Sequence, residues 1–390
     1  MLKRIYNFFQ RFVCFEKLLI FIIVFLFKEG LGLFNSTPTE PHYTLAVNAN
    51  NPVGELSSKQ LKDIFNGDIT NWKEVGGKDE DISLLTIDDI ANLYTEEELG
   101  SDFEYLPAKI DEQISSRSDI LASFSDQYIP KDFHGKVVPV AKISLSEFIM
   151  GREWYPTSQP VAQFGVLPII LGTLWVSLGA ILLALPIGLI TAIYLSEVAD
   201  ERIRRILKPV IELLAGIPSV VYGFFGLVVL VPLIQQTFKL PVGETALAGS
   251  IILAIMALPT IITISEDALR TTPKALKEAS LALGASRFQT LVRVVVPYAK
   301  SGITAASILG IGRAVGETMA VLMVTGNASV MPHSMLQPVR TIPATIAAEL
   351  GEAPFGGAHF KALFALGIIL FIITFGFNLI VDLMKAKRKA

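Results

Sequence analysis

The sequence predicts an all-α polytopic membrane protein with six transmembrane helices and a small extracytoplasmic α+β insert. Three observations predict it. The 390-residue chain is 52% hydrophobic and only 18% charged, against about 25% charge in an ordinary soluble domain, and its mean hydropathy is +0.53. Charge-free runs recur that match the roughly 20 apolar residues a helix needs to cross hydrocarbon. The charge is also segregated. Residues 36–153 hold 22 Asp+Glu and 10 Lys+Arg, a net −12, so with −3 overall the remainder carries +9.

Taken in order, Leu18–Phe27 is strongly apolar but short, and crosses only with help from Phe12–Phe15 and Leu31–Phe34; Lys28 and Glu29 follow it. From Trp154 to Ser196 there is no charge, and Val166–Leu195 reads as one long span. Leu213–Phe238 and Thr245–Ser265 are the next two, Ser301–Thr325 is a fifth interrupted by Arg313 and Glu317, and Ala362–Val381 is the last. The chain therefore divides into an N-terminal helix (1–35), an insert (36–153) and a five-helix core (154–390). No small-residue cleavage site follows the first apolar run, so it reads as a retained helix rather than a signal peptide.

Basic residues orient the spans. With both termini in the cytoplasm, Lys3, Arg4, Arg11, Arg202, Arg204, Arg205, Lys208, Arg270, Lys274, Lys277, Arg287, Arg293, Lys300, Lys385, Lys387, Arg388 and Lys389 fall inside. The short outer segments keep only Lys239, Arg340 and Lys361. The acidic insert then lies outside a plasma (inner) membrane.

Composition excludes other classes. Net charge −3 and a pI near 5.9 do not suit nucleic-acid binding. A single cysteine, Cys14, cannot form an intrachain disulfide. His42, His134, His333 and His359 are too scattered to make a ligand pair. No G-x-x-x-x-G-K-[ST] phosphate loop occurs: Gly312–Thr318 lacks the lysine, and Gly76-Gly77-Lys78 is followed by Asp. Neither a metal nor a cofactor is expected, and the chain does not read as an enzyme.

The stretch 266–297 is the longest cytoplasmic segment. Thr272-Pro273 reads as an N-cap with proline at the first helical position, Gly284 as a C-terminal glycine, and Ser286 with Gln289 as a capping box. A helix, a glycine bend and a second helix follow, which alone describes an interfacial hairpin. The spacing adds to this. Glu278-Ala279-Ser280, three residues, Gly284, nine residues and Val294-Val295-Val296-Pro297 resembles the EAA loop of ABC importer permeases, with Ser280 in place of the second Ala and Val294 and Val296 in place of Ile and Leu. The resemblance implies that Glu278, Ala279, Gly284 and Pro297 belong to a dock for an ATPase subunit.

Further blocks resemble one branch, the C-type permease of phosphate-specific transporters (PstC type). They are Phe164-Gly165 through Gly172-Thr173-Leu174, Ile193–Glu197, Glu212–Gly226 with its Pro218-Ser219-Val220-Val221-Tyr222-Gly223 run, and Gly312–Ala320. The likeness covers the N-terminal span and residue 144 onward. It implies phosphate import by a pair of homologous permease subunits, two ATP-binding subunits and an external phosphate-binding protein.

Arg313 and Glu317 are four apart, so a continuous helix puts them on one face. In a 301–325 span Arg313 sits near the midplane, where an ionisable residue is expensive and belongs in a water-filled path or a buried pair. A guanidinium fork suits phosphate oxygens, with Glu317 holding the arginine at rest; a buried Arg–Glu staple is the structural alternative. Pro218 and three glycines interrupt the third span, and broken helices lend backbone N–H groups to anions, though small residues also simply let helices pack. Ser219 and Tyr222 are candidate hydroxyl donors, and Asn327 is a further path candidate.

In the insert, Thr44–Val47 reads as a strand, Ser57–Phe65 as a capped helix, and Asn66-Gly67-Asp68 and Gly76-Gly77 as turns. Asn51–Asp81 resembles a segment of phosphate-type periplasmic binding proteins. The insert is about half such a protein and lacks the Ser-Gly-Thr anion turn of that family, reading Ser83-Leu84-Leu85-Thr86-Ile87-Asp88 instead. It reads either as a contact for the external binding protein or as a solvated spacer. The whole chain reads as a phosphate permease subunit surrounded by membrane lipid. A permease for another oxyanion, or a membrane sensor using the insert, are the alternatives; a sensor has no need of the EAA-like loop.

Overall fold

The computed structural model describes residues 2–39, 43–100, 102–159 and 161–386; His42, Lys387, Arg388 and Lys389 lie outside them. The chain divides into two compact units, Met1–Gly165 with Ala353–Ala362, and Val166–Glu352 with Leu363–Ala390. Among the described residues, six helices are long and apolar enough to cross a membrane. They are span 1 (Lys17–Asn35), span 2 (Leu167–Val198), span 3 (Ser219–Phe238), span 4 (Ala246–Arg270), span 5 (Arg287–Val315) and span 6 (Ala358–Ile380). Lys28 and Glu29 do not stop span 1.

Span 4 is the most buried of the six and forms the core of the second unit, packing against spans 2 and 5. Without a hydrophobic force between helices in lipid, close contact needs small residues and interhelical hydrogen bonds. Both occur here. Ser250 Oγ, fully buried, donates to the Val176 carbonyl of span 2 at 3.1 Å and to Ala246 O at 2.8 Å. A Cβ on Gly249 would collide with Thr325 and Val176, and one on Gly172 with the Arg340 carbonyl. Around these contacts Ala180, Ile252, Leu253, Met256, Val321 and Val324 close the core.

Two spans differ from the sequence reading. The expected span Leu213–Phe238 begins at Ser219, because Leu213–Gly216 is the end of an amphipathic helix, Glu201–Gly216, that stops at Ile217-Pro218. Residues before proline are pushed out of the helical region, and Ile217 is extended at φ −71°, ψ 128°. The expected continuous span Ser301–Thr325 is instead a helix from Arg287 to Val315, a break at Gly316–Thr318, and a short helix Met319–Val324.

The first unit contains a four-stranded sheet: β1 (Tyr43–Val47), β2 (Ser83–Thr86), β3 (Ile120–Ser125) and β4 (Lys136–Val137), in the order β2-β3-β1-β4. β1 is antiparallel to β3 and β4, and β2 runs parallel to β3. Alternation separates two apolar faces. Leu45, Val47 and Leu121 pack with Leu56, Leu61 and Trp72; Ala46, Ala122 and Phe124 pack with Leu106, Ile110 and Ile114 of the helix Leu106–Ser116. Ser57 caps the helix Ser58–Phe65 through a capping box with Gln60, as its sequence predicts. Gly67 and Gly76, at φ +80° and +85°, make the turns that follow.

On the insert surface Asp111 accepts from His134 twice, from the backbone N–H at 2.8 Å and across Oδ2···Nδ1 at 2.7 Å. That hydrogen bond holds the His134 pKa above its ordinary value. A raised folded-state pKa stabilises the fold below the unfolded-state pKa of about 6.5 and loses that contribution as pH rises through the raised value. An NMR titration is expected to find His134 above about 6.5, and Asp111→Asn is expected to return it there.

Candidate functional site

Arg313 lies within a turn of the end of span 5, where the helix stops at Val315. The break leaves it exposed on its own unit, and its Nη1 donates to Thr260 Oγ1 of span 4 at 3.2 Å. Thr260 follows Pro259, whose missing N–H already loosens the backbone hydrogen bonding there. Glu317 is not on the same helical face. It falls in the non-helical Gly316–Thr318 segment, half-buried, and makes no ion pair with Arg313. The spacing argument fails because it assumed a continuous helix. Gly316 N–H still reaches Gly312 O at 3.3 Å and closes the last turn, after which the chain turns away. The arginine is thus held by a neutral hydroxyl, with no carboxylate neutralising it.

The second break, at Ile217-Pro218, adjoins the same region. Ser219 is the first residue of the short helix Ser219–Phe225 and is half-buried. Tyr222 is buried, and its hydroxyl donates to Leu214 O at 2.8 Å, back across the break. The same carbonyl also accepts from Ile217 N–H at 3.3 Å, so the hydroxyl adds a second donor at the helix end. The helix Ser219–Phe225 packs against Met319–Val324, the short helix that follows the other break. Asn327 lies beyond the Met319–Val324 helix in a left-handed conformation, φ +49°. Its Nδ2 donates to Leu322 O at 2.8 Å, its carbonyl accepts from Arg340 Nε at 3.0 Å, and its Oδ1 is buried without a partner. Asn327 ties down the turn after the broken span.

The loop between spans 4 and 5 forms the expected hairpin. The helix Lys274–Ala282 starts after Pro273, which takes the cap position in place of Thr272; Thr272 is buried and its hydroxyl has no partner. Glu278 and Ala279 are exposed on this helix. Gly284 turns the chain at φ +84°, and Ser286 caps the next helix through Gln289. Pro297 lies in the first turn of Val296–Val315, inside span 5. Ser280 and Thr290 hydroxyls meet at 3.0 Å across the hairpin, and Lys277 Nζ meets Glu197 at the end of span 2 at 2.5 Å. Leu283 and Phe288 are 89% and 72% exposed at the tip.

One buried charge cluster escaped sequence reasoning. Glu266, in the last turns of span 4, is 1% exposed and surrounded by Arg204 at 2.5 Å, Lys208 at 3.5 Å and Arg270 at 3.7 Å. Arg204 and Lys208 come from the helix Glu201–Gly216, so the carboxylate pins that helix to the base of the hairpin. In the sequence Glu266 merely ends an apolar run, and the available signal was the cluster of basic residues 60 positions upstream.

One cavity in the first unit has Lys59, Lys62 and Arg152 in its lining together with Asp63, Glu147 and Glu153. Another cavity, of about 390 Å³, lies beside the ends of β2 and β3, lined by Tyr43, Phe65, Thr86, Asp88 and Ser123 among others, with no cation. The helix that starts there, Ile87–Leu93, is capped by its own Asp89, whose carboxylate accepts from Thr86 N and Oγ1 at 2.8 and 2.7 Å. These hydrogen bonds lower the Asp89 pKa and keep a negative charge at the helix start.

Comparison with known proteins finds two family matches. The family described as binding-protein-dependent transport system inner membrane component matches residues 184–389. A binding-protein (PBP) superfamily domain matches residues 42–117. The probable ABC transporter permease protein YqgH of Bacillus subtilis is 43% identical over 248 residues, 63% of this chain and 80% of that protein. The phosphate transport system permease protein PstC of Mesorhizobium japonicum is 41% identical over 247 residues, 58% of this chain and 74% of that protein. Among solved structures, the inward-facing MetNI methionine ABC transporter aligns at 18% identity and a TM-score of 0.45 over 57% of this chain and 95% of the other.

Removing the charge at Glu266 leaves three cations around a neutral amide. Breaking a buried ion pair costs about 3 kcal/mol or more. Glu266→Gln is expected to lower unfolding stability in detergent micelles by that order, as followed by denaturant titration, while Glu201→Gln, in an exposed pair at 3.8 Å, is expected to change it by less than about 1 kcal/mol.

Proposed function

The chain belongs to the family of binding-protein-dependent transport system inner membrane components, and we propose that it is the permease subunit of an ATP-driven importer of inorganic phosphate. The observation that carries the reading is Arg313, an exposed guanidinium at a broken span, held by a hydroxyl and not paired to a carboxylate. An arginine at membrane depth is costly unless a water-filled path or an anion uses it. Its fork matches tetrahedral oxyanions. Relatives named as phosphate transport permeases, at 35–41% identity, support phosphate as that oxyanion.

In this reading the path runs past Arg313 and Glu317, with Ser219 and the backbone at the Pro218 break as further donors, and Asn327 at its end. Because Arg313 faces outward from its own unit, a second, homologous permease subunit supplies the opposite wall. ATP is hydrolysed by separate ATP-binding subunits, since the chain has no phosphate loop. They dock on the hairpin through Glu278, Ala279 and the bend at Gly284, with Leu283 and Phe288 as the apolar contact. An external phosphate-binding protein delivers the anion. Both termini and the hairpin are cytoplasmic and the insert is outside, as the basic residues favour. The self-capped Asp89 and the cation-free cleft support an insert that contacts that partner or shapes the outer mouth, and does not itself hold phosphate.

Two variants test the assignment. Arg313→Ala is expected to abolish ATP-driven phosphate uptake in vesicles with the subunit still assembled, and Arg313→Lys to restore it only in part, because an ammonium has no bidentate fork. Uptake at the parental rate in Arg313→Ala would make the arginine a structural residue. Gly284→Val places a β-branched residue at φ +84°, a cost above about 1 kcal/mol; it is expected to reduce co-purification of the ATP-binding subunit without preventing membrane insertion. Undiminished co-purification would move the dock elsewhere.

A further inference from the structure

We infer that the helix Glu201–Gly216 lies in the plane of the membrane surface and binds the headgroups of anionic phospholipids. Span 2 ends at Val198 and span 3 starts at Ser219, so this helix connects two crossings on one side of the bilayer. Asp200 caps its start, accepting from Ile203 N at 2.9 Å, and Ile217-Pro218 ends it.

None of its residues is buried. Ile203, Ile206, Val210 and Leu213 recur at spacings of three and four and form one stripe, with Ile206 67% and Leu213 72% exposed. Arg202 borders the stripe and Arg205 lies further round, both exposed; Arg205 has only the exposed Glu201 at 3.8 Å. Toward the protein, Arg204 and Lys208 turn to Glu266, which fixes the rotation of the helix about its axis. Arg270 shares the same carboxylate, so three cations face one anion and the site keeps a positive surplus.

An apolar stripe flanked by cations, held by its opposite edge to a membrane span, is the surface an interfacial helix presents to a bilayer. The stripe enters the acyl boundary, and Arg202 and Arg205 reach phosphate groups at the surface. The charge of this helix favours an anionic leaflet over a protein surface as its occupant: four of its residues are basic and two acidic.

The test uses the full chain purified from membranes with its co-assembling subunits. Cys14→Ser is combined with Ile206→Cys, Leu213→Cys or Glu212→Cys, spin-labelled, and reconstituted in nanodiscs of phosphatidylcholine with or without phosphatidylglycerol. Labels at 206 and 213 are expected to collide with oxygen more than with a water-soluble nickel chelate, and the label at 212 the reverse. Exclusion of both reagents at 206 and 213 would mean that a protein subunit covers the stripe, and preference for nickel would mean that water does; either overturns the inference. Native mass spectrometry of the mixed-lipid sample is expected to find phosphatidylglycerol retained on the parental protein. Arg202→Ala and Arg205→Ala should each weaken retention roughly fivefold; equal retention in both variants would overturn the headgroup assignment.

Discussion

Hydrocarbon contains no water, so every backbone group in a membrane span must find its partner within the protein. That constraint governs the second unit. Spans 2 and 4 each carry an internal proline, Pro186 and Pro259, yet run on as helices. Where a span breaks, the protein must repair the loss. At the Ile217-Pro218 break the Leu214 carbonyl accepts from Ile217 N–H at 3.3 Å and from the buried Tyr222 hydroxyl at 2.8 Å. The Gly316–Thr318 break is shortened by Gly316 N–H reaching Gly312 O, and the turn beyond it is secured by Asn327 and Arg340. Arg313 lies in the last helical turn before the Gly316–Thr318 break.

A second set of charges works at the membrane boundary. Glu266 is nearly inaccessible, and its three cations come from two different elements. Lys277 and Glu197 add a tie from the hairpin to span 2. These ion pairs, with the apolar cluster of Ala192, Leu269, Val295 and Ala299, join the hairpin, the helix Glu201–Gly216 and the ends of spans 2 and 4.

Much of this was legible in the sequence, for reasons specific to each element. Spans 2 and 4 were readable because charge-free runs of that length have no other use. Gly284 and the Ser286–Gln289 box were readable because local backbone chemistry alone dictates them. The Leu213–Gly216 segment was misassigned because it is apolar on one face and abuts a span, so hydropathy cannot separate the two; only the proline after it marks the boundary. The Arg313–Glu317 pairing was wrong because Gly316 ends the helix, and a glycine inside an apolar run is ambiguous between close packing and termination. Thr260 and Glu266 were missed because Arg313 and Arg204, their partners, lie 53 and 62 residues away. In the insert the strand and helix were visible from alternation and capping. The self-occupied helix start at Asp89 was not, because it depends on the geometry of Thr86.

The central claim is that the broken spans form a path for phosphate, driven by ATP hydrolysed on other subunits. Its most direct test is uptake of radiolabelled phosphate into vesicles containing this chain with its co-purifying subunits, with sulfate and molybdate as competitors. The account expects uptake that requires ATP and persists in excess sulfate and molybdate. Uptake that is independent of ATP, or that sulfate or molybdate displaces as well as unlabelled phosphate does, would contradict it.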